Sequence, residues 1–158
     1  MKQSFKLQFR NPHYKTVKDG GTKSVLCTIE CSMYLPLPIT KRIGKKYKEV
    51  SFSFTPAVSN VISSVAEIEV TGTSKCHPDD AFEFESGKHL SESRAKAKAY
   101  RVARNILADL VDDYINDHND SIGKNVIPSP VTIAKSTCDK LSSYYEDELS
   151  HIAKLEGK

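Results

Sequence analysis

The chain has 158 residues, 23 of them Lys or Arg and 20 Asp or Glu, for a net charge of +3. With 39% hydrophobic and 27% charged residues it has the composition of a folded domain, not of a disordered or membrane segment. The length suits one ordinary domain, and no apolar run is long enough to span a bilayer. Met1 to Arg10 alternates apolar and polar residues and lacks the apolar stretch of a signal peptide. The expectation is therefore a structured N-terminus and a cytoplasmic protein.

The first half reads as strands of period two. Phe5, Leu7 and Phe9 alternate with Lys6, Gln8 and Arg10. Val25, Cys27, Ile29, Cys31, Met33 and Leu35 form one face of the next strand. Val50, Phe52 and Phe54 mark a third, and Ala66, Ile68 and Val70 a fourth. Apolar residues on one face and polar ones on the other predict an antiparallel sheet covered on one side, with Ile29 and Phe52 pointing into the core. Lys18-Asp19-Gly20-Gly21 is a turn, Pro36 to Lys48 a longer basic loop, and Ala57 to Val65 is open between a short strand and a helical turn.

From Glu85 to Ile115 the period becomes helical, with Ala99, Ala103, Ile106, Leu107, Leu110 and Tyr114 on one face. A helix of about thirty residues spans roughly 45 Å, more than a small sheet covers, so one end is expected to protrude or to pack on another subunit. Asp117 to Lys124 reads as a loop, and Pro128 and Pro130 as a linker. Val131 to Leu155 forms a second, weaker helix whose apolar points are Ile133, Leu141, Tyr145, Leu149 and Ile152. The predicted fold is α+β: an antiparallel sheet of four to five strands covered by one long helix, plus a C-terminal helix. Residues 1–127 make the domain and residues 128–158 a helical extension.

The four cysteines do not point to a disulfide framework in a long, lysine-rich chain. Cys27 and Cys31 fall on the apolar phase of a strand and act as small hydrophobes. Cys27 and Cys31 lack a second ligand pair nearby in sequence, and Cys76-His77 stands alone, so no metal is expected. The sequence carries no phosphate-binding loop, dinucleotide fingerprint, zinc-protease motif or nucleophile elbow. It reads as a protein without cofactor or catalytic activity.

Charge is segregated along the chain. Residues 1–60 carry 11 basic and 3 acidic side chains, residues 61–87 carry 1 and 6, residues 88–104 carry 6 and 1, and residues 105–120 carry 5 acids and no Lys or Arg. On the long helix this order opposes the macrodipole. Arg94, Lys98, Arg101 and Arg104 have no acid three or four residues away. Such a stripe suits an anion site; the competing readings are a solvated helix face, or pairing across space with the acidic 61–87 segment. Of the nearby aromatics, Phe84 and Tyr100 suit core contacts that seat the helix on the sheet, and Phe82 suits a ligand contact. Gly87, near the helix start, marks a close approach to the sheet or to a ligand.

The stretch from Gly72 to Tyr100 contains Cys76, Pro78, Asp80, Phe82, Gly87, Lys88, Arg94 and Ala95 in the order Cys-x-Pro-x-Asp, aromatic, Gly-Lys, Arg-Ala. It resembles a motif of small proteins from bacteriophages infecting Firmicutes, a group similar to the anti-Thoeris sponge proteins. The resemblance covers about 30 of the 158 residues. It implies a phage counter-defence protein that sequesters a cyclic nucleotide immune signal, such as a cyclic ADP-ribose isomer, without cleaving it.

A sponge of that kind needs cations for phosphates and an aromatic for a base. On this chain those groups are Phe82, Arg94, Lys98, Arg101 and Arg104, enclosed in a homo-oligomer. Two other functions stay open. One is nucleic-acid binding through Lys41, Arg42, Lys45, Lys46 and Lys48 together with the same helix stripe. The other is an inhibitor that docks on a host protein.

Overall fold

The computed structural model describes residues 7–35, 41–47, 50–56, 62–76, 84–117 and 129–157. Its elements are β1 (Gln8–Asp19), β2 (Thr22–Leu35), α1 (Lys41–Lys46), β3 (Val50–Pro56), β4 (Ile62–Cys76), α2 (Phe84–Asp117) and α3 (Ser129–Leu155). The strand order is β1-β2-β4-β3, and every neighbouring pair is antiparallel.

The β1–β2 hairpin closes on Gly20 and Gly21, between the Asp19 and Thr22 partners. Both glycines have positive φ, 55° and 87°, as a two-residue hairpin turn that follows the strand twist requires. Farther along β1 the register shifts between Arg10 and His13, where Asn11 takes a φ of 52°. This bulge bends the outer strand.

The phase of β2 places Val25, Cys27, Ile29, Cys31 and Met33 in the core, with Ala66, Ile68 and Val70 of β4 beside them. Ile29 is fully buried, as its alternation requires. The side chain of Phe52 lies outside the described residues. On the other face of the sheet Arg10 pairs with Glu30 and Glu67, so this part of the acidic 61–87 segment is neutralised by a strand arginine, not by the helix.

The expected sheet of four to five strands under one long helix needs correction. Three long strands, β1, β2 and β4, form the body of the sheet, and two helices, α1 and α2, are set against it. β3 is a seven-residue edge ladder along the first half of β4, and no fifth strand occurs among the described residues. Side-chain alternation under-reports strand length because it stops where apolar residues stop. Thr22 to Ser24 and Thr71 to Cys76 extend the ladders mainly through backbone pairing, with one side-chain hydrogen bond between Thr28 and Thr71.

The basic loop is also corrected, since it contains α1. Six residues are too few to show a period, but the single apolar residue, Ile43, is fully buried and holds the turn in place. Pro130 is not part of a linker. It occupies the first turn of α3 just after Ser129, where its missing N–H costs nothing.

The long helix needs no second subunit to cover its length. At 34 residues α2 is about 51 Å long, and β4 at 15 residues spans about 50 Å. Two glycines let the helix lie close to the strands. A Cβ on Gly72 would run into the backbone of Ser91 and Ala95, and one on Gly87 would come within 2.8 Å of Val25 Cγ2. The approach marked by Gly87 is therefore to the sheet.

The predicted apolar face of α2 is in the core: Ala99, Ala103, Ile106, Leu107 and Leu110 are buried and Tyr114 partly so. Tyr100 is buried against the edge of Phe9 and beside Tyr144. Phe84 departs from expectation and is exposed. The helix α3 runs antiparallel along α2. This follows from the successive contacts of Ser93 with His151, Tyr100 with Tyr144 and the Arg104 carbonyl with Cys138. Ala134 and Leu141 of α3 belong to the same buried cluster as α2.

Candidate functional site: a cationic cleft between two helices

The packing of α3 on α2 leaves an open cleft of about 300 Å³. One wall comes from α2, with Arg94, Ala97, Lys98 and Arg101. The other comes from α3, with Tyr145, Leu149 and Ile152. Steps of three and four residues put the α2 cations on one side of the helix. On α3, Tyr145, Leu149 and Ile152 follow the same spacing, so an apolar stripe faces a cationic one. Leu149 stays exposed despite its apolar surroundings.

The four predicted cations are not equivalent. Arg94 is committed to structure: it donates to the Thr73 carbonyl at 2.7 Å and to Glu156 Oε1 at 2.8 Å. The Thr73 carbonyl needs such a donor, because β3 pairs only with Ile62–Ile68 and leaves this part of β4 without a second strand among the described residues. Sequence spacing cannot reveal the Glu156 pair, which joins positions 62 residues apart.

Arg104 is half-buried, with its guanidinium 5.4 Å from the centre of the Tyr145 ring, and it does not line the cleft. Lys98 and Arg101 are exposed, line the cleft and have no partner among the described residues. Phe82 lies outside the described residues. The stripe therefore resolves into one structural cation, one cation on an aromatic ring and two open to a ligand.

Tyr145, Leu149 and Ile152 enter the cleft without having been singled out as site residues. Their spacing was legible as the apolar points of a tail helix, but nothing local shows which helix they face.

Two other side-chain clusters among the described residues join elements of the fold. Lys46 Nζ and the Tyr47 hydroxyl both reach Asp109 Oδ2, at 2.8 and 2.6 Å, and tie α1 to α2. One lysine of the basic segment is thus already paired, and one acid of the 105–120 run is not a free solvated charge. Ser93 Oγ lies 3.0 Å from His151 Nδ1, and Glu148 Oε1 lies 3.7 Å from the same nitrogen. A nucleophile relay needs the serine and the carboxylate on different ring nitrogens, so this trio reads as a tie between helices.

Burial pushes the Cys31 thiol up to about 12 and the Cys138 thiol up to about 11, and both resist forming the nucleophilic thiolate. Among the described residues no group of three His, Cys, Asp or Glu side chains could hold a metal ion, and no helix is long and apolar enough to cross a membrane. Comparison with family models, with curated proteins and with solved structures finds no match.

Proposed function

We propose that this chain is a non-catalytic binding protein that holds a small phosphorylated nucleotide in the α2–α3 cleft. The observation that carries the reading is the pair Lys98 and Arg101, unpartnered among the described residues and facing the apolar stripe of Tyr145, Leu149 and Ile152. An anionic group takes the cations and a ring takes the apolar wall, as in ligand sites that join a few polar groups to an apolar lining. The resemblance to phage sponge proteins supports the same reading and adds a role: sequestering a cyclic nucleotide immune signal in the cytoplasm of the infected cell. The cleft is open on one side, where a second copy of the chain would enclose the ligand.

Isothermal titration with cyclic ADP-ribose and 5′-AMP tests the reading, with sedimentation run alongside. Lys98→Ala and Arg101→Ala should each weaken binding about tenfold or more, the equivalent of losing a charge-assisted contact of about 1.5 kcal/mol. Wild-type affinity in both variants would overturn the site. Preferential binding of DNA or RNA, with affinity falling steeply as salt rises, would replace the small-ligand reading with a nucleic-acid one. Nucleotide binding by a species that sediments as a 17.6 kDa monomer would remove the enclosing second copy.

A further inference from the structure

We infer that the cleft takes a purine nucleotide, with its base stacked on Tyr145 and its phosphate on Lys98 and Arg101, and that Arg104 is the positioning residue for that ring. The inference rests on the cleft reading above and adds which part of the ligand lies where.

Among the described residues Tyr145 is the one aromatic side chain that lines the cleft, and Leu149 and Ile152 continue its surface without any polar group. A base laid on this wall keeps its edges toward the open side. The Arg104 guanidinium lies over the ring from outside the cleft. It steadies the ring from outside the cleft, and the part of the ring that lines the cleft is left to a ligand.

Lys98 and Arg101 are three residues apart on α2, so both reach one phosphate. One turn earlier, Arg94 is already neutralised by Glu156, and the phosphate subsite ends there. A volume of about 300 Å³ lies at the low end for ligand sites and suits one nucleotide unit, either free or as the adenylate part of a larger ligand whose remainder extends through the open side. Stacking grows with ring area, which favours a purine over a pyrimidine.

The test separates the base from the phosphate. The chain contains no tryptophan, so Tyr145→Trp gives a single fluorescent reporter at the cleft. Its emission should be quenched by 5′-AMP and by cyclic ADP-ribose but not by ribose 5-phosphate. By titration calorimetry, Tyr145→Leu should weaken 5′-AMP between about fivefold and a hundredfold, the range for removing one stacking ring, and leave ribose 5-phosphate unchanged. Tyr145→Phe should bind as wild type. Arg104→Gln should weaken 5′-AMP about two- to fivefold, and Arg104→Lys should restore it, a rescue that a purely structural arginine would not show.

Wild-type affinity for 5′-AMP in Tyr145→Leu overturns the inference, and so does an equal loss for ribose 5-phosphate. If Lys98→Ala and Arg101→Ala weaken 5′-AMP while Tyr145→Leu does not, the base subsite falls and the cleft reading stands. If the wild-type chain binds none of the three probes, both fall.

Discussion

Replacing Gly72 by alanine should lift the long helix off the sheet, whereas the same change at Gly87 should cost little. Gly72 sits in β4 with an ordinary strand conformation, so alanine there meets no backbone strain of its own. The obstacle is the backbone of α2: the new Cβ would overlap the Ser91 carbonyl and the Ala95 amide. Neither atom can rotate away, so the helix must move on the order of an ångström, and buried neighbours such as Ala95 and Ala99 lose their contacts with it. Overpacking costs about 1–3 kcal/mol, and an obstacle made of backbone belongs at the upper end. For a domain of this size each kcal/mol shifts Tm by about 2–4 °C, so the expected drop is about 6–12 °C.

At Gly87 the neighbour is Val25 Cγ2, on a buried β-branched side chain whose shift costs less than moving a helix backbone. The helix also gains up to about 1 kcal/mol from alanine, so Tm should stay within about 4 °C of wild type. Thermal melts followed by far-UV circular dichroism decide the matter. If Gly72→Ala melts within about 2 °C of wild type, or Gly87→Ala is the more damaging of the two, the reasoning about helix–sheet distance is wrong.

Arg94→Ala should lower stability by about 1 kcal/mol, since the Thr73 carbonyl loses its donor while the exposed pair with Glu156 contributes little. Arg101→Ala should melt as wild type, and parallel melts of the two variants check the division of roles within the stripe. Tyr47→Phe removes the hydroxyl donor to Asp109 and should cost about 1–2 kcal/mol in urea titrations; unchanged stability would mean that Ile43 and the Lys46–Asp109 pair hold α1 without the hydroxyl. Burial raises the Cys31 thiol from 9.0 and the Tyr100 hydroxyl from 10.0, each to about 12. The unfolded chain therefore ionises these groups first, so their contribution is complete below pH 9.0 and is lost as pH rises toward about 12. Urea titrations at increasing pH across that window should show falling stability, with a shallower fall in Cys31→Ala.

Periodicity identified the inward face of β2, core residues of α2 and Leu141 and Ile152 of α3, because each is part of a local repeat that burial on one side imposes, whereas Ile133 and Leu149 on the same α3 stripe are exposed. It also showed that Arg94, Lys98, Arg101 and Arg104 lack local acids. It could not show the true strand lengths, because the polar ends of β2 and β4 are held by backbone pairing, which leaves no mark on side-chain type. Nor could it show α1, a six-residue helix with one apolar residue, Ile43, and with ties to Asp109, which lies far off in the chain. The close approach at Gly72 was equally silent, since its reason lies on a helix nearly twenty residues away in the chain.

The difference matters most at the cleft. Its cations and its apolar wall were each visible as a stripe, but on helices read as separate. Only their antiparallel packing placed Tyr145 opposite Lys98 and Arg101, and only tertiary contact turned Arg94 toward Thr73 and Glu156 and set Arg104 on a ring. One-dimensional spacing reports what a side chain can reach along its own helix. Which charges stay open to a ligand was decided by partners from elsewhere in the fold.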